Sequence, residues 1–160
     1  APQSTTPTYV AARIYLDTWR WAGVPFLMRH GKRLAKRGTE VAIKFRTPAL
    51  ALFRGTQVFG NCTNVLVIRI QPNEGISLHF GAKRPGAGMK ISTVQMDFEY
   101  QKAFHNEIPE AYERLLLDAL LGDPTLFTRS DEVAATWRWA DVVLDAWNVL
   151  PLPVFPNYVA

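Results

Sequence analysis

Asn64-Val-Leu-Val-Ile-Arg-Ile-Gln-Pro-Asn-Glu-Gly75, followed by Ile76-Ser-Leu-His-Phe-Gly81, decides the fold. Val65 to Ile68 is continuously apolar, as in a strand covered on both faces. Pro72-Asn73-Glu74-Gly75 has the composition of a turn. Beyond it Ile76, Leu78 and Phe80 alternate with Ser77, His79 and Gly81, a period of two. Two strands joined by so short a turn form a hairpin. A connection of this length cannot hold a crossover helix, so the sheet around it is antiparallel.

Working outward, Val10, Ala12, Ile14 and Leu16 alternate with Tyr9, Ala11, Arg13 and Tyr15. Phe26 to Met28 read as a short strand broken at Gly31. Val41, Ile43 and Phe45 alternate with Ala42, Lys44 and Arg46, and Val94, Met96, Phe98 and Tyr100 with Thr93, Gln95, Asp97 and Glu99. The last third has helical spacing. Pro109 suits the first turn of a helix that Gly122 closes, with Tyr112, Leu115, Leu116, Ala119 and Leu120 as its apolar stripe. Ser130 is placed to cap a second helix, with Asp131 and Glu132 in its first turn. Val133, Trp137, Ala140, Leu144 and Trp147 recur along it, and Pro151 and Pro153 stop it. Strands followed by helices predict an α+β fold, a large and mainly antiparallel sheet with helices packed on one face.

At 160 residues and 48% hydrophobic content the chain has the material for one core. A net charge of +4 favours anionic ligands without demanding nucleic acid. The single cysteine, Cys62, leaves no internal disulfide and fits a reducing compartment. No apolar run reaches bilayer length, and no signal peptide is visible. The opening Ala1-Pro-Gln-Ser-Thr-Thr-Pro7 reads as an interior linker.

Much of the positive charge is concentrated in Arg29-His-Gly-Lys-Arg-Leu-Ala-Lys-Arg37. Cations gathered at a strand end and in a loop suit a small dianion such as phosphate, or form a solvated basic loop. Other motifs carry less. Gly81-Ala-Lys-Arg-Pro-Gly-Ala-Gly88 lacks the lysine directly after its last glycine and the helix that a phosphate loop needs, and reads as a hairpin loop. His30, His79 and His105 make no metal-ligand spacing and have no local carboxylate partner marking a general base. Trp137 and Trp147 fit the helix stripe better than an aromatic cage. Trp19 and Trp21 flank Arg20 and either stack on it or anchor the turn. Arg13 with Tyr9 and Tyr15 hints at RNA binding, but the neighbouring strand presents Asp97 and Glu99.

Several stretches together resemble the glucose-6-phosphate dehydrogenase family, in its C-terminal domain. They are Thr8-Tyr-Val-Ala11, Asp17-Thr-Trp-Arg-Trp-Ala-Gly-Val-Pro-Phe26, Arg29-His-Gly-Lys-Arg-Leu34, and Asn64 to Gly75 as quoted above. Met96-Asp-Phe98, Ala111-Tyr-Glu-Arg-Leu-Leu-Leu-Asp118 and Phe127-Thr-Arg-Ser-Asp-Glu132, followed by Trp137, continue in the family's order. The resemblance implies one domain over 1–160, trimmed at both ends, with no Rossmann domain in the chain. It implies oxidation of glucose 6-phosphate to 6-phosphogluconolactone in the oxidative pentose phosphate pathway. NADP would be bound mainly by an N-terminal domain outside this chain. The histidine base would also lie there, leaving no catalytic residue here and the chain alone inactive.

By the same resemblance Lys32 matches the lysine that holds the sugar phosphate, Arg37 a second basic residue doing similar work, and Gln71 a polar residue of that pocket. Arg29, Arg69, Lys83 and Asp97 match positions of a second, structural NADP site found in some eukaryotic members. The sheet implies a homo-oligomer, a dimer or tetramer. Neither nucleic acid, membrane nor metal is expected as a partner, and the expected location is the cytoplasm. Two alternatives stand beside this reading: a free-standing assembly or regulatory module of the same fold, and a basic anion- or RNA-binding domain.

Overall fold

The computed structural model describes residues 6–32, 34–47, 63–105 and 111–150. They divide into two units, 1–36 with 111–160, and 37–110. Pro109, Cys62, Arg33, Pro151 and Pro153 lie outside the described residues.

In the first unit β1 (Tyr9–Ile14) and β2 (Phe26–Gly31) form an antiparallel hairpin. The alternation holds: Val10, Ala12 and Ile14 are half-buried while Tyr9, Ala11 and Arg13 are exposed. Gly31 does not break β2. It pairs with Tyr9, and the Lys32 N–H continues the ladder by donating to the Thr8 carbonyl at 2.8 Å. Arg29 and His30 therefore lie within the strand, opposite Ala11 and Val10, rather than in a loop. In the connection between the strands the Arg20 guanidinium lies 5.8 Å from the Trp21 ring, which packs edge-on to Phe26 at 5.2 Å.

The second unit is a four-stranded antiparallel sheet, in the order β3 (Thr39–Lys44), β4 (Val65–Gln71), β5 (Gly75–Lys83) and β6 (Ile91–Glu99). Neighbours in sequence are neighbours in space, as tight hairpins dictate. The described strands thus make antiparallel sheets of two and four strands, in keeping with the α+β, mainly antiparallel fold expected. One face carries Val41, Ile43, Leu66, Ile68, Ile76, Leu78, Met96 and Phe98; the other carries Arg69, Ser77, His79, Gln95 and Asp97. Between β3 and β4 the register slips: Glu40 pairs with Arg69 but Thr39 with Gln71, leaving Ile70 as an extra residue in a bulge.

The short helix α1 (Tyr100–Phe104) begins where a continuous strand was expected. Its start is held by the Tyr100 N–H donating to the Glu74 carbonyl at 3.1 Å, and by edge-on packing of Phe98 with Tyr100 and Phe104.

The other two helices belong to the first unit. α2 (Ala111–Leu121) closes as expected at Gly122, whose φ is 72°. The Asp123 N–H donates to the Asp118 carbonyl at 2.9 Å and that of Gly122 to Ala119 at 3.3 Å, the paired bonds of a Schellman end. α3 (Ser130–Val149) starts one residue earlier than expected, with Arg129 as its cap and Ser130 as its first helical residue. The Glu132 side chain fixes this start by accepting from the Arg129 N–H at 3.0 Å, and Asp131 pairs with the Arg129 guanidinium.

The stripes form as spaced, yet no apolar side chain is fully buried among the described residues. Leu116, Leu120 and Trp137 are exposed, and Trp147 is half-buried; Trp137 does not pack in a core. Among the described side chains of α2, Asp118 is the one that is fully buried. No described helix is long and apolar enough to cross a membrane.

Candidate functional site

The three candidate substrate-binding residues divide between the units. Lys32 follows directly on β2, its backbone tied to Thr8 and its side chain exposed. It stands at the edge of a largely apolar groove of about 870 Å³ lined by the hairpin and by Trp139, Val143, Leu144 and Trp147 of α3, with His30 beside it. An ammonium on a flexible stem beside such an apolar wall can reach for an anion.

Arg37 and Gln71 belong to the second unit and come together there. Arg37 leads into β3 two residues before Thr39, and Thr39 pairs with Gln71, the last residue of β4. A Cβ on Gly38 would lie 3.8 Å from the Gln71 carbonyl oxygen, so this chain end runs close against the turn. The bulge at Ile70 interrupts the regular ladder between Arg69 and Gln71. The Gln71–Pro72 peptide is cis, and Asn73 adopts a left-handed φ of 60°. Both Arg37 and Gln71 are exposed.

Of the four residues matched to a structural NADP, Arg29 is on β2 and the other three are on the sheet. Arg69 and Asp97 are joined to each other. The Arg69 Nη1–H donates to Ser77 Oγ, the Ser77 hydroxyl donates to Asp97 Oδ1 at 2.5 Å, and Arg69 Nη1 is 3.8 Å from that oxygen. Gln95 Nε2 also donates to Asp97 Oδ1, at 2.8 Å. These bonds hold the Asp97 carboxyl below its ordinary pKa. Ser77 contributes most, then Gln95, with Arg69 and His79 adding electrostatic attraction against the opposing effect of desolvation. Lys83 turns inward on its own loop, donating to the carbonyls of Arg84 and Gly86 at 3.1 Å each. Residues 84–90 form a hairpin loop, as expected, with the Arg84 N–H on the Lys90 carbonyl at 2.7 Å.

Ser77 is the residue that the sequence reading passed over. It is 1% exposed, the centre of the Arg69–Asp97 connection. The signal available was cross-strand register: Ser77 lies directly opposite Asp97, and Arg69 opposite Gly75 on the same face. Among the described residues no cluster of three His, Cys, Asp or Glu side chains could hold a metal.

A hairpin that carries Lys32 and, in the other unit, an antiparallel sheet whose end carries Arg37 and Gln71 make up, with the helices, an α+β chain. The chain belongs to the family described as glucose-6-phosphate dehydrogenase, C-terminal domain, whose model matches residues 1–160. It is 44% identical to glucose-6-phosphate 1-dehydrogenase of Chlamydia muridarum over 99% of its own length and 32% of that protein's. It is 49% identical to glucose-6-phosphate 1-dehydrogenase 2 of Mycobacterium tuberculosis over 92% of its length and 29% of that protein's. Among solved structures, a glucose-6-phosphate dehydrogenase in complex with its substrate glucose-6-phosphate superposes with a TM-score of 0.79 at 40% identity, over 91% of this chain and 30% of that one. Glucose-6-phosphate 1-dehydrogenase from Mycobacterium avium gives 0.74 at 37% identity. The chain therefore spans about a third of the relatives it matches.

Proposed function

We propose that this chain is the substrate-side domain of an NADP-dependent glucose-6-phosphate dehydrogenase, with the hydride acceptor and the base supplied by the rest of the enzyme. The observation that carries the reading is the likeness, at 40% identity and TM-score 0.79, to an enzyme solved with glucose 6-phosphate. Lys32 and Arg37 would grip the phosphate and Gln71 would line the same pocket. Fixing the remote end of the sugar aims its reacting carbon at the nicotinamide, converting binding energy into orientation.

NADP would supply the hydride acceptor. A second, structural NADP would fall to Arg29, Arg69, Lys83 and Asp97, and its binding would have to share the bonds that Arg69 and Asp97 make through Ser77 and that Lys83 makes to its own loop. The sheet would also carry the contact between enzyme copies; its apolar face, with Met96 62% exposed, is suited to that. A cytoplasmic location agrees with the lone cysteine.

The test is Lys32→Ala in the full-length enzyme. A charge-assisted hydrogen bond contributes about 1.5–3 kcal/mol, so KM for glucose 6-phosphate should rise roughly tenfold to a hundredfold. KM for NADP should be unchanged. An unaltered KM for the sugar phosphate removes Lys32 from the phosphate site.

A further inference from the structure

The turn that carries Gln71 is held by more than its strand ladder. Arg69 reaches across it: Nε–H donates to the Asn73 carbonyl at 3.2 Å, closing a loop from 69 to 73 around Gln71. The other end of the same guanidinium is anchored in the sheet through Ser77, which is tied in turn to Asp97 on the next strand. This arrangement depends on Gly75. A Cβ there would lie 2.8 Å from Arg69 Nη2 and would collide with the Phe98 carbonyl oxygen, so only glycine leaves room for the guanidinium to lie across the turn. On the far side the Glu74 carbonyl accepts from the Tyr100 N–H.

We propose that Arg69 is a positioning residue for the candidate sugar-phosphate pocket, holding the 69–73 loop so that Gln71 stays opposite Thr39 and beside the entry of Arg37. The inference rests on the reading of Gln71 as a pocket residue. Arginine is suited to the task because its planar fork donates in two fixed directions at once; a lysine ammonium on a flexible stem cannot bridge Asn73 and Ser77 in the same way. Asp97 and Gln95 serve the same device at one remove, since they orient the Ser77 hydroxyl that receives the guanidinium.

The experiment is a double-mutant cycle in the full-length enzyme with Arg69→Lys and Gln71→Ala, reading kcat and both KM values. Arg69→Lys should raise KM for glucose 6-phosphate about fivefold to tenfold, with kcat within twofold and KM for NADP unchanged, and should add nothing further in the Gln71→Ala background. A purely structural role would instead move both KM values and kcat together. If Gln71→Ala alone leaves KM unchanged, the pocket reading of Gln71 fails and the proposal falls with it. If Gln71→Ala raises KM while Arg69→Lys does not, or if the two effects multiply, the pocket reading stands and the positioning role is overturned. Should Arg69→Lys fail to fold, Ser77→Ala keeps the arginine and removes only its anchor. It should raise the same KM by a smaller factor, and no change would overturn the proposal.

Discussion

Asp118 and Arg114 offer an asymmetry that can be measured. Asp118 is 1% exposed and sits in the last turn of α2, where the helix dipole is unfavourable to an anion. Arg114, one turn earlier, has a side chain 58% exposed, and its Nε lies 2.9 Å from Asp118 Oδ1 and donates to Oδ2 at 3.1 Å. Oδ1 accepts no well-aligned hydrogen bond, so that short charge contact is what compensates it. Arg114→Met keeps the apolar stem and removes the cation, stranding a buried carboxylate. Removing one partner of a buried pair costs about 3–5 kcal/mol, and the partial exposure of Arg114 places this pair at the lower end, about 3 kcal/mol. Asp118→Asn instead strands an arginine that water already solvates, and should cost about 1 kcal/mol, the net worth of one hydrogen bond. The double variant should cost little more than Asp118→Asn alone. Local opening read by hydrogen exchange of the α2 amides in the full-length enzyme is the suitable assay, because a large multidomain protein need not unfold in one step. Arg114→Met should speed exchange of those amides about a hundredfold, and Asp118→Asn about fivefold. Equal effects of the two single substitutions, or a double variant whose cost is their sum, would refute the reasoning.

Three further outcomes are expected. Asp97 has a native pKa depressed below 3.8, so its contribution is complete above that value and is lost as pH falls through the lower native one. Exchange around Asn73, corrected for its intrinsic rate, should therefore hold steady from pH 7 to about 4 and rise only below it, and Asp97→Asn should abolish that rise. Gly75→Ala should displace either Arg69 or the β5–β6 pairing, seen as lost amide protection at Ile76 and Phe98; retained protection would show that the turn tolerates a Cβ. Met96→Asp on the apolar sheet face should shift the full-length enzyme toward smaller species in sedimentation; an unchanged oligomer would place the contact elsewhere.

The strands were legible because each alternates cleanly about a turn, and a hairpin needs only local pairing. Val65 to Ile68 and the turn at Pro72 to Gly75 were enough to specify the centre of the second sheet. The separation of the Tyr9 and Phe26 strands into their own hairpin was not legible, since alternation says which face a residue occupies and not which distant strand lies beside it. The helix stripes were legible and their exposure was not: the spacing of Tyr112, Leu116 and Leu120 states that something covers them, not what. Ser77 escaped because a serine in an alternating strand reads as a solvent-facing residue until register puts a carboxylate opposite it. The cap of α3 is Arg129 rather than Ser130 because the Glu132 side chain, not a hydroxyl, accepts from the free N–H.

The extra residue at Ile70 acts as a phase offset between two rulers. On one side of it β3 and β4 keep step through Glu40 and Arg69; on the other they keep step through Thr39 and Gln71. Removing Ile70 would heal the ladder and improve the sheet as a sheet, while changing the face of the sheet on which Gln71 stands. The irregularity is thus where regular pairing and the placement of Gln71 compete, and a sequence optimised for strand pairing alone would erase it.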